Sequence, residues 1–141
     1  CEFHDLGKSL CGNVLGKGIT YAMATLETNA SMGLIVASPT AGSAGIVPGM
    51  MLALQEVYGF SDKKIRQALF NAGAIGYLAM RNATVAGAVG GCQAEVGIAS
   101  AMAASAAVEL LGGTPLQCTY EHAWPCVRSC RRPGGISLPE P

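Results

Sequence analysis

The stretch that most limits how this chain can fold is residues 29–49, Asn29-Ala30-Ser31-Met32-Gly33-Leu34-Ile35-Val36-Ala37-Ser38-Pro39-Thr40-Ala41-Gly42-Ser43-Ala44-Gly45-Ile46-Val47-Pro48-Gly49. A short apolar run enters a loop of hydroxyls and glycines, and the loop feeds a helix start. Ser38, Thr40 and Ser43 offer hydroxyl donors, while Gly42 and Gly45 let backbone N–H groups approach a ligand with no Cβ in the way. Pro48 suits the first turn of a helix, where its missing N–H is not needed. The free N–H groups of that turn and the positive end of the helix dipole favour an anion. Two readings stay open for residues 38–45: a site for a carboxylate or phosphate, or a helix–helix turn whose glycines allow tight packing. A nucleotide is disfavoured, because no Gly-Lys-Ser/Thr closes the loop. Gly16-Lys17-Gly18 likewise lacks the third glycine and the preceding strand of a dinucleotide site.

The rest of the chain reads as helix. Over residues 13–30, Ile19, Ala22, Met23, Leu26 and Ala30 recur at helical spacing. Residues 50–58 are apolar almost all round, as expected of a helix at the centre of a bundle, and Gly59 is a natural stop. Ser61 is placed to cap a helix whose expected buried stripe is Ile65, Leu69, Ala72, Ile75 and Ala79. A second glycine-rich break, Gly87 to Gly91, precedes a long small-residue helix with Val96, Ala99, Ala103, Ala106 and Leu110 on one face. Gly112-Gly113-Thr114-Pro115 ends it. Residues 34–37 and 83–89 are candidates for short extended pieces. The fold expected is all-α, a compact bundle of small-residue helices with glycine-rich loops at its active site. A single domain of this length buries about two-thirds of its unfolded surface. With nineteen glycines and few aromatics, cohesion must come from close helix–helix approach. The domain is read as residues 1–117. Residues 118–141, with Cys118, Cys126, Cys130, four prolines and no periodicity, form an irregular tail of different character.

Charge narrows the function classes. Nine basic residues balance nine acidic ones, which argues against an electrostatic grip on nucleic acid or an acidic membrane. Residues 32–54 are uncharged and long enough to span a bilayer. Their prolines, glycines and clustered hydroxyls favour a protein interior instead. Six cysteines with no recognisable signal peptide favour reduced thiols or metal ligands over disulfides. There is no initiator Met, so the chain is read as starting part-way through a longer protein or as a processed piece.

Cys92 lies after Gly90-Gly91 and in the first turn of a helix, where the dipole favours an anion by about 0.3–1 kcal/mol. Cys92 is therefore a candidate metal ligand or nucleophile, the plain alternative being a buried structural cysteine. Glu95, one turn on, serves as an acid or base, or only as a first-turn carboxylate that suits the dipole; the second is the ordinary role. His4 and His122 stand in irregular ends and read as solvent-exposed. Lys63 and Lys64 at a helix start read as solvated charge rather than as a pyridoxal phosphate site.

Three motifs taken together, Asn29-Ala30-Ser31-Met32-Gly33, the run from Ser38 to Gly49, and Gly91-Cys92-Gln93-Ala94-Glu95-Val96-Gly97, closely resemble the catalytic α chain of iron–sulfur-dependent L-serine dehydratases. The resemblance runs in order over about residues 8–117. It implies an all-helical catalytic domain holding a [4Fe–4S] cluster through three cysteines, its open iron acting as a Lewis acid on the substrate hydroxyl. Loss of the α-proton and of β-hydroxide then yields an aminoacrylate that ends as pyruvate and ammonia. Cys92 matches the first cluster ligand of the family. The loop lines the active site in that reading, and Ser38, Thr40, Gly42 and Ser43 are the residues expected to bind the substrate carboxylate. L-serine is the implied substrate, a β subunit or domain the implied partner within a homo- or hetero-oligomer, and the oxygen-sensitive cluster implies the cytoplasm.

The chain departs from the family in two respects. The family's helices before the first motif are missing. The other two cluster cysteines belong to a segment that, counted from Cys92, would run to or past the last residue, and ligand status does not pass to Cys118, Cys126 or Cys130. A shifted reading frame or a truncated gene would account for the change of character near Leu116. Two alternatives follow: a non-catalytic helical remnant that packs against a partner without a cluster, and a related lyase acting on cysteine or threonine.

Overall fold

The computed structural model describes residues 11–82 and 87–120. Among them the chain is all-helical: α1 (Gly12–Ala30), α2 (Ile46–Tyr58), α3 (Asp62–Asn82), α4 (Gly87–Leu110) and α5 (Pro115–Tyr120). The helices pack in the spatial order α1, α2, α4, α3, with α5 against α4. No helix among the described residues is long and apolar enough to cross a membrane. His4, His122, Cys126, Cys130 and the tail from 121 onward lie outside the described residues, as do positions 83–86 of one expected extended piece. Gly87, Ala88 and Val89 of that piece are helical. Residues 34–37 form an irregular segment, neither helix nor strand, and Leu34 is 97 % exposed.

The α1–α2 contact is made backbone to backbone. A Cβ built on Gly45 would stand 2.6 Å from the carbonyl oxygen of Ala22, and one on Gly49 would stand 2.8 Å from that of Gly18. Both distances are below contact, so the two glycines, four residues apart on one face, are what lets the helices meet this closely. Gly18 itself faces Gly49 and Ala53 with ordinary clearance, 3.8 and 3.9 Å.

That contact decides which side of the first helix faces inward. Ile19, Met23 and Leu26 do not point into the core; Met23 is 55 % exposed and α1 has no fully buried residue. Spacing gave the period of the helix correctly but not its facing side. The side that meets α2 must be the one carrying Gly18 and Ala22, which turns the bulkier stripe outward.

The centre of the bundle is α4, not α2. Ala94, Ile98, Ala99, Ala101, Met102, Ala103, Ser105 and Ala106 are buried around much of α4. In α2, Leu52, Val57 and Tyr58 are exposed while Val47, Met51, Ala53 and Leu54 are buried. Alanine on several faces lets α2 and α3 approach α4 together, whereas large apolar residues all round do not require burial on every side. Ala99, Ala103, Ala106 and Leu110 are buried as expected, and Val96 is exposed. On α3, Ala72, Ile75 and Ala79 face the core and Ile65 packs against it, but Leu69 is exposed. Ala68 and Gly76 are buried on that helix too, and a Cβ on Gly76 would lie 2.9 Å from the Met102 sulfur.

Helix ends follow local chemistry. Gly59 stops α2 in the left-handed conformation (φ +68°), its N–H donating to the Gln55 carbonyl at 2.9 Å. The Ser61 carbonyl accepts the N–H of Ile65 (3.1 Å), and Asp62 and Arg81 occupy the favourable ends of α3. The short α5 begins with reciprocal bonds: the Gln117 N–H donates to Thr114 Oγ1 (3.3 Å) and the Thr114 N–H to Gln117 Oε1 (2.9 Å). Thr114-Pro115-Leu116-Gln117 is thus a capping box, although in the sequence Thr114 and Pro115 read only as the stop of the preceding helix.

At the other end of the α1–α2 pair, Tyr21 donates to Glu56 Oε2 (2.6 Å) and Lys17 pairs with Glu56 Oε1. The hydrogen bond to Glu56 raises the Tyr21 pKa above the ordinary 10.0, with burial and the carboxylate charge acting in the same direction. A pKa raised on folding contributes stability that is fully present below the unfolded value and is lost as pH rises through the folded one. Glu56→Gln is expected to lower the Tyr21 pKa in an absorbance titration and to reduce the fall in stability above pH 10.0. The glycine contact gives a second expectation, read by urea unfolding. Gly49→Ala or Gly45→Ala should destabilise by about 1–3 kcal/mol through forced separation of α1 and α2, whereas Gly18→Ala should be neutral or stabilising by up to about 1 kcal/mol.

Candidate functional site

The loop between α1 and α2 is closed by its own hydroxyls. Ser43, 1 % exposed, donates from Oγ to the Ser38 carbonyl at 3.2 Å and shares a 3.1 Å hydrogen bond with Thr40 Oγ1. The Ser38 N–H donates to the Thr40 carbonyl (3.2 Å), across a cis Ser38–Pro39 peptide. Asn29, in the last turn of α1, donates from Nδ2 to the Ala41 carbonyl at 3.2 Å and ties the loop to that helix. Ser43 therefore shapes the loop from inside. Ser38 and Thr40 are half-buried at its edge, and Gly42 is exposed at its tip. No acceptor among the described residues takes the N–H groups of Ala41 and Gly42, so both are available to an anion.

The second motif begins where α4 is interrupted. Gly91 has φ +73° and ψ 168°, outside helical geometry, so the continuous helix starts with Cys92. The positive φ is the reason a glycine stands there. Cys92 is a free, exposed thiol in the first turn. Glu95, one turn on, is half-buried and leans toward the loop: a Cβ on Gly42 would lie 3.3 Å from Glu95 Oε2 and 4.0 Å from Thr40 Oγ1. The hydroxyl loop and the Cys92 helix start, far apart in sequence, thus meet at Gly42 and Glu95. Spacing had left Glu95 between an active and an ordinary role, and Asn29 without any. Only the folded chain reveals their positions beside the loop.

A [4Fe–4S] cluster needs several thiolates converging on one point. Among the described residues no group of three His, Cys, Asp or Glu could hold a metal ion. Cys118 is 4 % exposed within α5. The described residues do not by themselves make a cluster site.

A model of the serine dehydratase α chain family matches residues 2–124. The chain is 52 % identical over 111 residues to the probable L-serine dehydratase α chain of Bacillus subtilis, covering 79 % of this chain and 37 % of that protein. It is 50 % identical over 119 residues to the L-serine dehydratase α chain of Peptoniphilus asaccharolyticus, covering 84 % of this chain and 41 % of that one. To the L-serine dehydratase TdcG of Escherichia coli it is 42 % identical over 98 residues, 69 % of this chain and 22 % of the relative. No solved structure matches the chain. The class the fold and site define is an all-helical domain of small-residue helices, with a hydroxyl–glycine loop set against a cysteine-bearing helix start. The chain belongs to the serine dehydratase α chain family, and it spans about two-fifths of the length of the α chains it matches.

Exposure of the thiols sets an expectation for the native protein. Mass-spectrometric mapping of iodoacetamide labelling should find Cys92 modified at least about tenfold faster than Cys118, the difference vanishing in denaturant.

Proposed function

We propose that the chain is the substrate-binding portion of an iron–sulfur L-serine ammonia-lyase, converting L-serine to pyruvate and ammonia. The observation that carries the reading is the meeting of the 38–45 loop with the first turn of the Cys92 helix at Gly42 and Glu95. The serine carboxylate binds the N–H groups of Ala41 and Gly42 with the Thr40 hydroxyl, while Ser43 and Asn29 hold the loop in shape. Loss of the α-proton and of the β-hydroxyl as water leaves 2-aminoacrylate. Its imine tautomer takes up one water and releases ammonia and pyruvate. Cys92 is proposed as one thiolate ligand of a [4Fe–4S] cluster, with the remaining ligands outside the described residues. A β chain is the proposed partner, as the α-chain names of the relatives suggest, and the proposed compartment is the cytoplasm.

The test is anaerobic reconstitution with iron and sulfide, followed by iron counting and a pyruvate assay on L-serine. Bound iron with pyruvate formation, both lost in Cys92→Ala, is the expected result. Thr40→Ala should raise KM for L-serine about 10-fold, as for loss of one hydrogen bond to a charged group. A chain that retains no iron would point to the non-catalytic helical reading instead.

A further inference from the structure

We propose that Glu95 anchors the α-ammonium group of the substrate and so selects an α-amino acid over the corresponding hydroxy acid. The proposal rests on the reading above that the 38–45 loop binds the carboxylate of such a substrate. An α-amino acid carries its ammonium and carboxylate on one carbon, so their two partners must lie within a few ångströms of each other. From the loop the N–H groups of Ala41 and Gly42 and the Thr40 hydroxyl suit an anion, and no side chain of residues 38–45 carries a charge. Donors bind the carboxylate, but an ammonium group, itself all donor, needs an acceptor.

Glu95 supplies one at the right place. Its Oε2 stands beside Gly42, 3.3 Å from where a Cβ on that residue would be. The carboxylate is half-buried and has no hydrogen-bond or ion-pair partner among the described residues. Two other carboxylates of the bundle are engaged, Glu56 by Lys17 and Tyr21, and Asp62 by Gln55 at 2.6 Å. A carboxylate serving only its own helix would be expected to turn back to the N–H groups of the first turn; Glu95 makes no such bond. Gly42 then has a second purpose besides exposing its N–H. Any side chain there would crowd the carboxylate from the loop side.

The experiment is calorimetric binding of two ligands, L-serine and 3-hydroxypropionate, which lacks the ammonium group, to the full chain and its variants. The wild-type chain is expected to prefer L-serine by about 10- to 100-fold, the effect of a hydrogen bond to a charged group. Glu95→Gln, with unchanged circular dichroism, should lose most of that preference by weakening L-serine while leaving 3-hydroxypropionate within about threefold. Glu95→Asp should keep part of it, and Gly42→Ala should weaken L-serine more than the analogue. Equal weakening of both ligands, no weakening, or a wild-type chain without preference would overturn the assignment. In the reconstituted enzyme an anchor shows mainly in KM; a fall in kcat with KM unchanged would mark Glu95 as a proton-transfer group and also overturn it. A wild-type chain that prefers L-serine yet forms no pyruvate overturns the lyase reading and leaves Glu95 as the anchor. Pyruvate formation with the preference intact in Glu95→Gln overturns the anchor alone.

Discussion

The close approach of α1 and α2 at Gly45 and Gly49 is the contact on which the remaining architecture depends. Backbone meets backbone there, with the carbonyls of Ala22 and Gly18 where side chains would otherwise stand. Small residues bury little area each, so a bundle of this composition gains cohesion from dispersion between closely packed helices rather than from large side chains. The contact sets where α2 begins and therefore where the preceding loop is held. It also decides which side of α1 faces solvent. With α2 packed on α4 through its opposite side, the loop tip arrives at the first turn of the Cys92 helix.

The loop is held by one hydroxyl that a reader of sequence would give to a ligand, and by one amide with no role evident in the sequence. Ser43 spends its hydroxyl on Ser38 and Thr40, and Asn29 holds the Ala41 carbonyl from the end of α1. What remains outward is backbone N–H at Ala41 and Gly42. Donors fixed by a preorganised scaffold need no rearrangement to meet an anion, which is the useful property in a site. The glycine at the tip then serves packing and chemistry together, since it exposes its own N–H and leaves room for Glu95.

Residue pattern located four of the helices, and glycines marked the breaks, because Gly59, Gly91 and Gly112 act through local backbone conformation. Facing was not settled by it. Ile19, Met23 and Leu26 share a side of α1, yet the partner helix takes the adjoining, smaller side that carries Gly18 and Ala22. Leu69 likewise keeps helical step with Ala72 and Ile75 but lies just past the edge of the buried stripe, where Ala68 fits. In each case size decided, not hydrophobicity: the closest approach selects the smallest residue. Helix α5 went unread because its capping box overlaps the Gly112-Gly113-Thr114-Pro115 stop of the helix before it, and the rest of it enters the stretch read as irregular tail.

By itself the sequence determined the helical class, the positions of the breaks, the three motifs and their family, all of which are local patterns of residue type. Only the tertiary structure decided that α4 rather than α2 is central, that Ser43 turns inward, and that Glu95 comes to Gly42. Those outcomes depend on which faces can approach most closely, a question of shape between segments distant in the chain. Spacing along one helix carries no record of the helix it will meet.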